Sequence, residues 1–478
     1  MKRNTCLLTV LILLFNKSVA QHNRCNCLEN LNKLVAKSEE NYAGFPDKVN
    51  KVTEARYHEL IKVLQKRSVN KTNPKACFFV LKKYVRFFKD KHFILSYSNV
   101  DDYDNEKLSF SETLFKNKYA NKTLSKIEGI WINADTSLKL AIHKFRDNIL
   151  KAIVLYSSDP KIPLGLVYFT LTPSVNGFNA KEFNSFITTD VPAKQKGNLL
   201  QIWNHSMFGK IYPSNLSITE KRELSTWRNG NNGLDFQKLS SKTAYLKIPT
   251  FFNNDDKIQQ LISTNDSAIR SCENLIVDLT GNGGGNTGWV SILPYCITNP
   301  IFQYDTYLRV SPENVQHKLK DLEPFVMNPI PNDYKKYFPD EVVLAYKRAY
   351  QELPSTNRTF YPIPGVTFPL DSILPKPNKV SLIVDDFCGS STEYFFFISK
   401  QSTKTTTYGT NTIGMMDYEG MSNPTALPYD KYILTIPIVK SSWTSTSPID
   451  QTGFKPDIVL DKIDNARWVE FVRKSLEK

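Results

Sequence analysis

Two turns at the ends of apolar strands are where this sequence can do chemistry. The first follows Leu275-Ile-Val-Asp-Leu279, a buried-strand pattern that runs into Thr280-Gly-Asn-Gly-Gly-Gly285. Glycines in such a loop let backbone N–H groups face an incoming oxygen without side-chain interference. Phosphate is the other guest such loops take. No Lys-Ser/Thr follows as in a P-loop, however, and the spacing is not that of a dinucleotide fingerprint. The second turn lies about a hundred residues on, in Val380-Ser-Leu-Ile-Val-Asp-Asp-Phe-Cys-Gly-Ser-Ser-Thr-Glu-Tyr394. There an apolar strand gives way to Gly389-Ser390 and then to an apolar helix. A hydroxyl at that point is a candidate nucleophile, because the positive end of a helix favours a developing oxyanion. Ser390-x-x-Glu393 is also a capping box, which a helix start needs whatever its chemistry, and the two roles are compatible.

The elements around these turns alternate. A strand at 244–248, a helix over 255–271, a strand at 275–279, the glycine loop, a helix to Cys296, a strand at 380–384 and a helix from Ser391 imply βαβ units. Residues 311–374, rich in Pro, Asn and Tyr, read as an insertion of helix and loop over that core. Upstream, residues 27–95 carry apolar residues at helical spacing, broken at Gly44-Phe45-Pro46, and predict a helical domain over 21–126. From Ile127 short alternating runs take over (127–132, 139–143, 152–156, 164–169), so 127–238 reads as a β-rich middle domain of antiparallel strands. Gly129-Ile130-Trp131 is similar to the opening strand of lipocalin-like barrels, but three residues carry little weight, and Trp131 reads as core packing.

Taken together the motifs resemble a known family. An apolar strand ending in Asp-x-x-x-Asn-x-Gly-Gly, then a strand with Ser three residues before Glu, then Gly-x-x-Thr-x-Gly, is the pattern of serine peptidase family 41, the C-terminal-processing and tricorn-core peptidases. Here the parts are Asp278 to Gly284, Ser390 with Glu393, and Gly409-Thr-Asn-Thr-Ile-Gly414. The resemblance covers roughly residues 240 to 478. It implies a multidomain α/β (α+β) protein whose crotonase/ClpP-like catalytic core, residues 239–478, follows the helical domain and the β-rich domain, the latter in place of the peptide-binding PDZ module common in the family.

Within the family, one branch uses a lysine immediately after Gly-x-x-Thr-x-Gly as its base. That position is Met415, and a thioether cannot take a serine proton, so a Ser-Lys dyad is excluded unless another lysine such as Lys404 folds in. The tricorn-like branch uses a histidine and an acid. Phe88-Lys-Asp-Lys-His-Phe-Ile94 resembles its Asp-x-His segment, which makes His92 the base candidate, with His143 and His205 as fallbacks. Pro448-Ile-Asp-Gln-Thr-Gly-Phe-Lys-Pro-Asp457 resembles its terminal acidic stretch, which puts Asp450 in the orienting role, direct or bridged. The resemblance thus implies Ser390 as nucleophile, His92 as base, Asp450 as orienting acid, and the N–H groups near Gly283, Gly284 and Ser391 as the oxyanion hole. The sequence departs from the branch at Lys91, where a bridging Ser is typical, and at Thr280, where Arg is typical. The expected activity is hydrolysis of peptide bonds through an acyl-enzyme. The alternative is an inactive member that binds an apolar ligand or a peptide.

Composition sets the surroundings. Lys2 and Arg3 precede an apolar run at 7–15, and Ser18-Val-Ala20 offers small residues for cleavage, so 1–20 reads as a signal peptide with Gln21 as mature N-terminus and a periplasmic or extracellular destination. The run is too short to span a bilayer, which argues against stable membrane insertion. The whole chain carries a formal charge of +14. Without residues 1–20 it has 58 basic and 47 acidic residues, a charge of +11. The lysines are scattered rather than gathered into a stripe, so nucleic acid is not expected as a partner, and the resemblance implies a peptide or protein substrate. Cys and His spacings match no zinc pattern, and no cofactor is expected. Six cysteines remain after export, with Cys25 or Cys27 to Cys77 the favoured link. Asn70, Asn121, Asn204, Asn215, Asn265 and Asn357 head glycosylation triplets.

Overall fold

In the computed structural model the described residues are 24–145, 148–335, 338–368, 372–421 and 424–478. The expected signal peptide lies outside them. Three helices open the described chain: α1 (Cys27–Asn41), α2 (Glu54–Ser68) and α3 (Pro74–Val85), with a one-turn helix Phe45–Lys48 at the predicted break. Asn26 and Asn73 cap α1 and α3 by accepting from Glu29 and Ala76 N–H, and Pro74 stands in the first turn of α3, where its missing N–H costs nothing. Leu31, Leu34, Leu64, Phe78 and Leu81 meet in one core, and a Cys27–Cys77 disulfide pins α1 to α3. Cys25, Cys272, Cys296 and Cys388 are buried free thiols.

The alternating runs after Ile127 close into a barrel of eight antiparallel strands in sequence order: β1 (Gly129–Asn133), β2 (Leu138–Lys144), β3 (Leu150–Ser157), β4 (Val167–Ser174), β5 (Gly177–Glu182), β6 (Val191–Lys196), β7 (Leu199–Ile202) and β8 (Ser206–Tyr212). Closure comes from β1 pairing with β8, Trp131 opposite Lys210. Leu140, Ile142, Ala152, Val154, Phe169 and Leu171 fill the interior, as side chains do in barrels of this size. Trp131 is fully buried among them, with its indole N–H donating to the Ile127 carbonyl at 3.0 Å.

The alternating elements of the C-terminal half form a six-stranded sheet: β9 (Asp235–Lys238), β10 (Thr243–Lys247), β11 (Asn274–Asp278), β12 (Lys379–Val384), β13 (Thr405–Gly409) and β14 (Ile458–Val459). Only β9 runs antiparallel to its neighbour. Period-two alternation sorts the side chains. Leu246, Val277 and Leu382 face α4 (Asp255–Ser271) and α5 (Ser391–Ser399), whereas Tyr245, Ile276 and Ile383 face α6 (Trp468–Leu476). The inserted stretch carries two longer helices, Pro312–Met327 and Asp340–Glu352, and a single turn, Asn332–Lys335, and the longer two pack over a small core of their own. Two strand pairings outside the main sheet fix the region near His92. Ile94–Tyr97 pairs antiparallel with Tyr432–Thr435, and Tyr418–Glu419 pairs with Val439–Ser441. No helix among the described residues is long and apolar enough to cross a membrane.

Candidate active site

Strands β11 and β12 are parallel neighbours, Asp278 opposite Ile383, so the glycine loop and the Ser390 turn leave the sheet at the same edge. The two turns touch. A side chain at Gly284 would lie 2.8 Å from Ser390 Cβ and 2.9 Å from the Ser391 nitrogen, so only glycine fits there, and at φ +94° its backbone is in the left-handed region too. Ser390 adopts φ 51° and ψ −122°, a conformation a non-glycine residue takes only when its surroundings enforce it.

Glu393 supplies that enforcement. Its carboxylate is fully buried and accepts from the Ser390 N–H at 3.2 Å, the Gly414 and Met415 N–H groups at 2.7 Å each, and the Thr412 hydroxyl at 2.5 Å. Burial raises its pKa, and these donors oppose the rise. The acid of the capping box thus ties the Ser390 turn to the Gly409–Gly414 loop. Met415 contributes a backbone N–H where the other branch has its lysine.

His92 comes from the opposite end of the sequence and reaches the turn with Nε2 at 3.1 Å from Ser390 Oγ. Its Nδ1 lies 2.8 Å from the Tyr418 carbonyl oxygen. A carbonyl only accepts, so Nδ1 carries the proton, Nε2 of the neutral ring is an acceptor, and the Ser390 hydroxyl donates to it. The His92 main-chain N–H donates to Asp90 Oδ1 at 2.8 Å, and the Tyr42 hydroxyl donates to Asp90 Oδ2 at 2.7 Å. Burial pushes the Asp90 carboxyl up, while His92 and Tyr42 pull it down.

Asp450 is not at the imidazole. Its carboxylate is taken by the Lys48 ammonium and by the Gln451 side-chain amide, the latter at 3.0 Å. The orienting contact expected of Asp450 is made by the Tyr418 carbonyl, because the tight turn at 449–450 is anchored by its own N–H groups on Asp417 Oδ2, at 2.9 and 2.8 Å. The departures are placed too. Lys91 approaches the Ile413 carbonyl at 3.4 Å, and Thr280 N–H donates to Asp278 at 2.9 Å. Lys404 lies beside Cys296 at the opposite end of the strands and is no base for Ser390. His143 bonds the Lys144 carbonyl and stacks on Phe110, and His205 is exposed.

Of the expected oxyanion donors, Gly283 N–H donates to Asn204 Oδ1 at 2.8 Å and Gly284 N–H to Asn282 Oδ1 at 3.0 Å. Asn204 belongs to the barrel. Beside it Trp203 donates from its indole to the Phe387 carbonyl at 3.1 Å, and Lys194 meets Asp386 at 2.5 Å. Lys194 and Lys196 also lie 3.9 and 3.8 Å from the fully buried Asp385. Burial alone would raise the Asp385 pKa, but the two ammonium groups and the Gly281 and Phe387 N–H groups bring it below the ordinary value. Sequence reasoning missed these barrel contacts, the Tyr418 carbonyl and Asp90. Only Asp90 left a trace, as the acid of Asp-x-His.

Residues 242–460 match the model of peptidase family S41. Through this segment, a little under half of its length, the chain is similar to peptidase family S41. It is a serine-type peptidase. No curated protein matches the peptidase in sequence. Among solved structures, mature CPAF complexed with lactacystin is 14% identical, with a TM-score of 0.51 over 94% of this chain and 97% of that one. Mature CPAF alone gives the same identity and TM-score over 94% and 96%. A putative peptidase from Parabacteroides merdae is 12% identical at a TM-score of 0.43, over 91% and 90%. At such identities the two CPAF likenesses speak to the fold alone.

Proposed function

We propose that the protein is an exported peptidase that hydrolyses peptide bonds by Ser-His acyl-enzyme chemistry, with Ser390 as nucleophile and His92 as base. The observation that carries this reading is the 3.1 Å contact between His92 Nε2 and Ser390 Oγ, with the tautomer set by the Tyr418 carbonyl. Ser390 Oγ attacks the scissile carbonyl and its proton passes to Nε2. The oxyanion is held by the Ser391 N–H and the glycine loop, and His92 returns the proton to the leaving amine. The imidazolium formed on the way faces the Tyr418 carbonyl and, through the main chain, the Asp90 carboxylate, and among the described residues no acid is hydrogen-bonded to the ring.

The domain organisation that fits this reading is a signal peptide over 1–20, a helical domain over 21–126, a barrel domain over 127–238 and a crotonase-like core over 239–478. The barrel stands where the family commonly carries a PDZ module. Incubation of the purified mature protein with a peptide library, followed by mass spectrometry of the products, tests the function. New termini are expected with the wild type and none with Ser390→Ala. Equal cleavage by both would overturn the mechanism.

A further inference from the structure

The backbone N–H groups around Ser390 can be accounted for one by one, and a complete account of buried donors is informative because so few are left unpaired. In the glycine loop, Gly281 donates to Asp385 at 2.9 Å, Asn282 to the Leu279 carbonyl at 3.0 Å, Gly283 to Asn204 and Gly284 to Asn282. In the serine turn, Gly389 donates to the Asn282 carbonyl and Ser390 to Glu393, both at 3.2 Å, and Thr392 to the Gly389 carbonyl at 3.1 Å. The Ser391 N–H meets no acceptor among the described residues, and neither does that of Gly285, which is exposed and lies against Phe251 and Phe252 rather than Ser390. An oxyanion on Ser390 needs more than one donor aimed at it, so one of the glycine contacts must be released for the reaction to run.

The two side chains that hold those glycines differ in what release costs. Asn282 is fully buried; its amide nitrogen donates to the Ile248 carbonyl at 2.9 Å, and its oxygen also accepts from the Thr392 hydroxyl at 2.8 Å. Moving it dismantles the loop. Asn204 sits half-exposed at the tip between β7 and β8, and its carboxamide makes the Gly283 contact alone among the described residues. The tip is also strained, with Trp203 at φ 30°. Trp203 covers Gly283 so closely that a side chain there would lie 2.1 Å from the indole nitrogen.

We propose that Asn204 is an internal stand-in for substrate. Its side-chain carbonyl oxygen occupies the Gly283 N–H that a scissile carbonyl oxygen uses, and the β7–β8 tip must swing off the glycine loop before acylation. The barrel then gates the site. This rests on the serine-peptidase reading. In the open state a bond forms from Ser390 Oγ to the carbonyl carbon and the serine proton moves to His92 Nε2. The carbonyl π electrons become an oxyanion shared by the Ser391 and Gly283 N–H groups, and the C–N bond breaks as the proton passes to the amine.

The test compares the full chain with Asn204→Ala and Asn204→Ser, two substitutions too short to reach Gly283. One readout is amide hydrogen exchange of the peptide spanning 281–285. The other is the rate of labelling by a fluorophosphonate, in which the Oγ–P bond forms and fluoride leaves. Both variants are expected to exchange faster and to label about three- to tenfold faster, the range that one neutral hydrogen bond supports. Faster exchange with unchanged or slower labelling would make Asn204 a brace and overturn the gate. Unchanged exchange would overturn the contact itself. Faster exchange with no labelling of any of the three proteins would leave the contact standing while removing the reaction it gates, and would overturn the proposal through the reading beneath it.

Discussion

At the scale of residues, the site is a small set of side chains held by main-chain groups. Glu393 is the clearest case, a buried carboxylate with four donors. Glu393→Gln would turn an NH₂ toward N–H groups that need an acceptor. It is expected to cost on the order of 3 kcal/mol of stability, read by chemical denaturation, and to abolish Ser390 reactivity even below the unfolding transition. Asp450 makes the opposite prediction. With its carboxylate on Lys48 and Gln451, Asp450→Asn is expected to lower kcat/KM less than about tenfold, against about a thousandfold or more for His92→Ala. A comparable loss in both would restore an orienting acid. His92 was named only through the family resemblance, whereas the Ser390 turn and the glycine loop were legible in the sequence as candidates, because residue type and spacing carry them. The Tyr418 carbonyl was not, since a main-chain acceptor leaves no mark on residue type.

At the scale of elements, β10, β11, β12, α4 and the start of α5 were readable to within a residue or two, because β-branched runs and the Ser390 cap mark their own ends. By contrast, β9, β13, β14 and α6 were not read, and the expected helix to Cys296 is only a short turn and four helical residues. The β-rich middle was readable as strands but not as a closed barrel. Closure depends on β1 meeting β8 across some eighty residues, which no local pattern encodes. The barrel's docking was invisible for the same reason. Asp385 makes that docking testable. Its folded pKa lies below the ordinary 3.8, so its stabilisation is fully present above about 3.8 and is lost as pH falls through the lower folded value. Asp385→Asn should therefore cost on the order of 3 kcal/mol at pH 7, with the gap to wild type narrowing below about pH 3.8. An equal gap at pH 7 and pH 3 would mean that Lys194 and Lys196 do not hold it.

At the scale of the whole molecule, the proposed nucleophile, Ser390, and the proposed base, His92, come from distant parts of the chain. The segment 242–460 that matches the family model contains Ser390 and Glu393 but not His92, which the helical layer delivers through the pairing of Ile94–Tyr97 with Tyr432–Thr435. Stability of that layer is therefore part of the chemistry. Cys27 and Cys77 close a loop of 50 residues. The Cys27→Ser/Cys77→Ser variant is expected to lose up to about 4 kcal/mol on the chain-entropy account, seen as a lower Tm, and Ser390 reactivity should fall at temperatures where the C-terminal sheet is still folded. The most direct test of the central claim is fluorophosphonate labelling of the purified protein, with mass spectrometry of the modified peptide and Ser390→Ala and His92→Ala alongside. The predicted result is a single adduct on Ser390 that is absent from both variants. Labelling of Ser390 that persists in His92→Ala, or a folded wild-type protein that takes no label, would contradict an activated Ser390–His92 pair.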